Sequence, residues 1–288
     1  MIEPSELKFG KQVTDFYPEE KWFRQSVFEG AIYILEPNAS SLSLCDDIDS
    51  LIASKVLIQP DEPFCLDKIH QYHSFETIFS CLNQVKRKIA TQLFTQNCLA
   101  KLLPCFGLTV TPFLYDVMRL RWNQPLNDFD PWASYSVMHR DTWYANPQSQ
   151  LNFWIPLTDT LLGQGFKIYP KFFNSPIDNT SQTFNFSEWR NQGGFQSSRM
   201  DQQQFYPTVK TLPDSKNAIN IDCAKGSVVI FSAAHLHQTS HNQSDQSRLS
   251  VDFRVVYPED SHNKLGAPNT DNASKGDASV DYYLYDPA

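Results

Sequence analysis

The sequence predicts a mainly β protein with a helical buttress, a sandwich or barrel, and three observations carry that prediction. From about Thr109 onward, short apolar runs recur between Pro, Gly, Asn and Asp: FLYDVMRLRW, SYSVMH, LNFWIPL, FKIYP, AINID, GSVVIF and RLSVDFRVVY. The first hundred residues show instead the three- and four-residue apolar spacing of helices. Across 288 residues, 41% are hydrophobic and 14% aromatic, which is ample for one large packed core. Many short strands after a helical third fit a two-layered or closed β core with helices packed against it.

Taken in chain order, Ala31-Ile32-Tyr33-Ile34-Leu35 reads as a short strand. The clearest helix runs from about Ser74 to Leu103, where Phe75, Ile78, Phe79, Leu82, Val85, Ile89, Leu93 and Phe94 make one apolar stripe and Lys86, Arg87 and Lys88 face water. No internal repeat or low-complexity linker divides the chain, so one domain is expected over 1–288. It comprises a helix-rich buttress (1–107), a β core (108–257) and a C-terminal tail (258–288). Residues 174–216, rich in Gln, Asn, Ser and Phe, interrupt the strands as an insertion of the kind that forms lids or surface excursions.

Charge and composition narrow the partners. Twenty-four Lys and Arg against 32 Asp and Glu give a net charge of −8, and the basic residues are scattered, which disfavours a nucleic-acid backbone and favours a small-molecule substrate. No apolar run approaches the roughly 20 residues that span a bilayer, and the start MIEPSELKFGKQ lacks the form of a signal peptide. A cytoplasmic protein without membrane association, monomeric or a weak homodimer, is therefore expected. Six Cys without C-x-x-C pairing are expected to be reduced thiols.

The stretch MHRDTWYAN, residues 138–146, spells H-R-D-x-x-x-x-N, the catalytic-loop pattern of protein kinases. A kinase also needs a Gly-rich phosphate loop and a D-F-G motif, and this chain, with 10 Gly, has neither. A second reading is a metal site. On an extended chain His139 and Asp141 project from the same side, so both can reach one ion. A third ligand from a later strand is available among His235, His237 and His241, and parity alone leaves His235 and His237 equivalent.

These residues carry a resemblance. The H-x-D of His139 and Asp141, followed nearly a hundred residues later by FSAAHLHQTSHNQSDQSRLS, resembles the iron(II)/2-oxoglutarate-dependent oxygenases, and within them the phytanoyl-CoA-hydroxylase-like branch. The branch's His, Asn, Ser and Arg fall on His237, Asn242, Ser244 and Arg248. The resemblance spans roughly residues 108–257 and implies a double-stranded β-helix, the jelly-roll or cupin-like fold. It also implies Fe(II) held by His139, Asp141 and His237, with 2-oxoglutarate and O₂ as co-substrates, and it favours His237 over His235. Two imidazoles and one carboxylate on one face of iron leave open the positions that these co-substrates need.

In the same resemblance Arg248 pairs with the far carboxylate of 2-oxoglutarate, and Ser250 completes an R-x-S pair. Arg254 shares the parity of Arg248 and is the alternative anion binder; otherwise it is expected in a surface ion pair. By parity Asn152, Trp154 and either Arg119 or Arg121 either line the cavity or serve as ordinary packing residues and surface charges, while Trp143 and Tyr144 form either an aromatic wall or part of the core. The implied activity is hydroxylation of a small polar molecule with release of succinate and CO₂, a natural-product tailoring step. The same centre performing desaturation, cyclisation or epimerisation is the alternative within enzymes. A metal- and 2-oxoglutarate-binding sensor is the alternative outside them.

Overall fold

The computed structural model describes residues 7–56, 63–108, 112–125, 137–160, 163–194 and 206–286. It opens with β1 (Leu7–Gly10), α1 (Glu20–Phe28), β2 (Ile32–Leu35) and α2 (Ala39–Ala53), followed by α3 (Ile69–Tyr72), α4 (Phe75–Ile89) and α5 (Gln92–Leu102). The β core follows as β3 (Phe113–Tyr115), β4 (Arg119–Asn123), β5 (Gln150–Pro156), β6 (Phe166–Ile168), α6 (Phe186–Asn191), β7 (Ile219–Ile221), β8 (Val228–Ser232), β9 (His237–Thr239) and β10 (Arg248–Val256). The short helix α7 (Pro258–His262) and β11 (Tyr283–Tyr285) complete it.

Among the described residues the strands form an eight-stranded sheet, in the order β1-β2-β8-β5-β10-β3-β11 with β4 also on β10, and a three-stranded sheet, β7-β6-β9. This is the double-stranded β-helix, with helices covering one face of the larger sheet. The alternation along β10 explains why. Leu249, Val251, Phe253 and Val255 point to the helix side and are fully buried, whereas Arg248, Ser250, Asp252 and Arg254 point between the two sheets. On β5 the same alternation sends Leu151, Phe153 and Ile155 to the helices, and Asn152 and Trp154 inward. Ile48 of α2, Ile78, Leu82 and Val85 of α4, and Leu99 of α5 close that outer core. Between the sheets a smaller cluster gathers Ile32, Ile34, Trp154, Phe166, Ile168 and Phe231.

Phe153 and Phe253 are directly opposed in the β5–β10 register, and their rings stack at 4.8 Å. Phe253→Ala is expected to lower stability by about 3–5 kcal/mol, the loss typical of a buried aromatic, read as a drop in the urea midpoint. An unchanged midpoint would place this pair outside the cooperative core.

Several sequence expectations need correction. The single helix from Ser74 to Leu103 is two helices: Ala90 leaves the helical region with ψ 45°, and the Thr91 side chain accepts from the Phe94 amide to cap a new start. The break resets the helical phase, so Leu93 leaves the apolar stripe and is 71% exposed. Arg87 and Lys88 face water, but Lys86 is half-buried, with its amine 5.3 Å from the Phe79 ring. FLYDVMRLRW is two strands on the same edge of β10. The chain steps off the ladder between them because the Met118 amide donates to Thr95 Oγ1 instead of to β10.

Strands β1, β9 and β11 were not anticipated, and SYSVMH lies largely outside the described residues, leaving only a bridge at His139. The insertion contains α6, and its two described ends pair with each other at Asn179 and Val209. It also pairs with the C-terminal segment at Asn185 and Lys275. No helix among the described residues is long and apolar enough to cross a membrane.

Candidate active site

His139 and His237 meet backbone to backbone. The His139 amide donates to the His237 carbonyl at 3.0 Å and the reverse bond is 2.9 Å, an isolated antiparallel bridge that extends β9. Both imidazoles emerge between the sheets with their rings 4.4 Å apart. The chain stays extended through Arg140 and then enters a 3-10 turn at Asp141, which brings the carboxylate beneath the two rings. Asp141 Oδ1 lies 3.3 Å from His139 Nε2 and 3.9 Å from His237 Nε2. One donor atom from each of the three side chains lies within 4.8 Å of the others, the only such group of three or more His, Cys, Asp or Glu among the described residues.

The surroundings prepare these atoms for a metal. His139 Nδ1 contacts the Val137 carbonyl at 2.8 Å and His237 Nδ1 the His235 carbonyl at 3.0 Å. A carbonyl can only accept, so the ring protons sit on Nδ1 and each Nε2 presents its lone pair to the centre. Burial, and then the neighbouring His139, push His237 down to about 4, which keeps it neutral at pH 7. For Asp141, burial opposes ionisation, but the adjacent Arg254 guanidinium overrides it and holds the carboxyl well below its usual range. Two imidazoles and one carboxylate, converging from three backbone positions already hydrogen-bonded in place, fit a divalent cation.

His235 stands apart. It is fully buried, its two ring nitrogens lie 3.2 Å from the Ser232 and Gly30 carbonyls, and its ring packs on Phe173 at 4.5 Å. Its place is in the core. His241 lies exposed in the loop between β9 and β10.

Arg248 is 3% exposed, and among the described residues no carboxylate lies within ion-pair distance of it. Its Nε donates to the Gln164 carbonyl at 3.1 Å and Nη1 to Ser250 Oγ at 2.7 Å, while the guanidinium lies 5.9 Å from the Trp154 ring centre. Burial, and then Arg121, push it down to about 10, still cationic at neutral pH. The loop before it is built by Asn242, whose amide donates to the Asn123 and Gln246 carbonyls and whose Oδ1 accepts from Ser244. Gln164 reaches Arg248 because β6 runs close to β7: a Cβ at Gly165 would lie 1.8 Å from the Ile221 carbonyl oxygen.

The remaining expectations divide. Asn152 does face the centre, its Nδ2 donating to Asp141 Oδ2 at 2.8 Å. Arg121 and Arg119 line the same interior, engaged with Asp252 and Asp116. Arg254 corrects the surface-ion-pair expectation: it is half-buried and turned inward, with Nη1 3.0 Å from Asp116 and Nε 3.5 Å from Asp141 Oδ2. The parity rule had placed it inward correctly, and the acids it meets come from distant segments. Trp143 is core, fully buried beside Met138 and Leu236 and donating to Asp271 at 2.8 Å. Tyr144 is the aromatic that borders the metal group, edge-on to His139 at 5.3 Å.

The Arg and Asn of the kinase-like string have structural work. Buried Arg140 binds Asp271 and the carbonyls of Ala234, Phe172 and Ser175, and Asn146 donates to the Asp141 carbonyl.

Residues 185–250 match the family model described as phytanoyl-CoA dioxygenase. Over that segment the chain is similar to the phytanoyl-CoA dioxygenase family. The matched segment contains His237, Arg248 and Ser250, and the fold supplies His139 and Asp141 from outside it. No curated protein matched the sequence.

Among solved structures the chain is similar to EvdO2 from Micromonospora carbonacea var. aurantiaca complexed with 2-oxoglutarate: 14% identity, 78% of this chain and 85% of that one, TM-score 0.44. It is also similar to the non-heme alpha ketoglutarate dependent carbocyclase SnoK from nogalamycin biosynthesis: 11% identity, 88% and 92% of the chains, TM-score 0.41. A third likeness is the epimerase SnoN in complex with Fe³⁺, alpha ketoglutarate and nogalamycin RO: 12% identity, 78% of each chain, TM-score 0.37.

Proposed function

We propose that this phytanoyl-CoA dioxygenase-like chain is an Fe(II)- and 2-oxoglutarate-dependent oxygenase that hydroxylates a small polar molecule in a natural-product tailoring step, releasing succinate and CO₂. The observation that carries the reading is the convergence of His139, Asp141 and His237 on the same interior face as Arg248, a buried guanidinium without a carboxylate partner among the described residues. His139 Nε2, Asp141 Oδ1 and His237 Nε2 would hold Fe(II). Arg248, oriented by Ser250 and the Gln164 carbonyl, would pair with the far carboxylate of 2-oxoglutarate. Held there, Fe(II) would supply the chemistry that couples decarboxylation of 2-oxoglutarate to oxidation of a substrate C–H bond by O₂. Trp154, Phe166 and Phe231 make the apolar wall that keeps water from the centre.

A polar substrate is supported by the interior wall, where Arg119, Arg121, Asp116 and Asp252 present both signs of charge. A zwitterionic guanidinium alkaloid suits such a wall, and 7-deoxycylindrospermopsin, converted to its 7-hydroxy form, is the specific candidate. Succinate release stimulated by that compound, with a product heavier by one oxygen from ¹⁸O₂, is the expected result.

Because Asp141 supplies the third protein ligand, chloride in the buffer should leave the product unchanged; halogenases related to this branch carry Gly or Ala there. A chlorinated product would overturn the role of Asp141. Loss of two hydrogens without oxygen would assign desaturation or cyclisation, a product of unchanged mass epimerisation, and binding without succinate release a sensor.

A further inference from the structure

Resting on the metal-centre reading above, we propose that Tyr282 and Gln150 are positioning residues of that centre, acting through Asn152 to aim the Asp141 carboxylate. Four side chains form an unbroken line, from half-buried Tyr282 to the buried Gln150, Asn152 and Asp141. Tyr282 Oη donates to Gln150 Oε1 at 2.7 Å, Gln150 Nε2 to Asn152 Oδ1 at 2.8 Å, and Asn152 Nδ2 to Asp141 Oδ2 at 2.8 Å. Gln150 and Asn152 are two positions apart on β5, so the period-two alternation turns both inward. Tyr282 arrives from the turn that precedes β11, with Asn146 Oδ1 at 3.2 Å as its longer contact.

The polarity of the line is dictated from its ends. An ionised carboxylate can only accept, so Asn152 must turn its amino group to Asp141 and its oxygen to Gln150. Gln150 must then offer its own amino group to Asn152, which leaves Oε1 to accept the phenolic proton. Asp141 Oδ2 is thereby occupied by Asn152 and by the nearby Arg254, and Oδ1 is the oxygen left facing the two imidazoles. A carboxylate fixed in this way binds a metal through one chosen oxygen without reorienting.

The test is an anaerobic titration of the full-length chain with Mn(II) alone, reading free Mn(II) by electron paramagnetic resonance. Tyr282→Phe should weaken binding severalfold. Gln150→Glu should weaken it on the order of 10- to 100-fold, because a glutamate accepts from both neighbours and turns the Asn152 oxygen toward Asp141. The unfolding midpoint of the metal-free protein is measured alongside: a purely structural role would move the midpoint and leave the affinity alone. Wild-type affinity in both variants overturns the proposal, and if Gln150→Glu does not fold, Tyr282→Phe decides it. His139→Ala separates the two levels of inference. If it too binds Mn(II) like wild type, the metal centre is wrong; if it loses binding while the other variants keep it, only the relay is wrong.

Discussion

Asp141→Ala, His139→Ala and His237→Ala are each expected to abolish the anaerobic absorbance that appears when Fe(II) and 2-oxoglutarate are added together. Each removes one of three donors that lie within 4.8 Å of one another, and no other His, Cys, Asp or Glu among the described residues completes the group. His235→Ala is the discriminating control. Its ring nitrogens face the Ser232 and Gly30 carbonyls and point away from the centre, so the variant should be less stable yet retain the absorbance. Retention in His237→Ala together with loss in His235→Ala would reassign the ligand.

Arg248→Ala should raise the KM for 2-oxoglutarate roughly thirty-fold or more, corresponding to about 2–4 kcal/mol for a desolvated charge-assisted pair. The contrast with Arg254 makes the prediction specific. Arg254 is already engaged by Asp116 and Asp141, whereas Arg248 is held by neutral oxygens and, among the described residues, has no carboxylate within ion-pair distance. A carboxylate arriving at Arg248 therefore completes a pair, while one arriving at Arg254 would compete with two. Arg248→Lys should recover part of the affinity, since the charge returns without the fork. An unchanged KM in Arg248→Ala would move the anchor to another arginine of the interior.

The parts of this architecture that follow from local pattern were legible in the sequence. Period-two alternation in RLSVDFRVVY places Arg248, Ser250 and Arg254 on one face whatever the fold, and spacing together with family resemblance brings His139, Asp141 and His237 to one point. The parts that depend on long-range pairing were not. Strand β9 is three residues long, all of them polar and half-buried, and is held by its pairing with β6, where Ile168 sits opposite His237. The helix break at Ala90 lies within an apolar stripe that continues in sequence but not in space. Nothing local to Arg254 announces Asp116 or Asp141 beside it, so its sequence context suggests only the surface ion pair common for a strand-end arginine. Gln150 and Tyr282 are 132 positions apart, and no motif joins them.

The bridge between His139 and His237 bears on the entropy of metal capture. These two residues are separated by roughly a hundred positions, and an ion gathering them from a flexible chain would have to offset a loop-closure entropy on the order of several kcal/mol. The folded backbone has already met that cost with two mutual amide-to-carbonyl hydrogen bonds, so the imidazoles are preorganised before any ion arrives. Binding free energy is then available as affinity instead of being consumed in folding, which separates this centre from zinc-finger-like sites where the metal itself must assemble the chain.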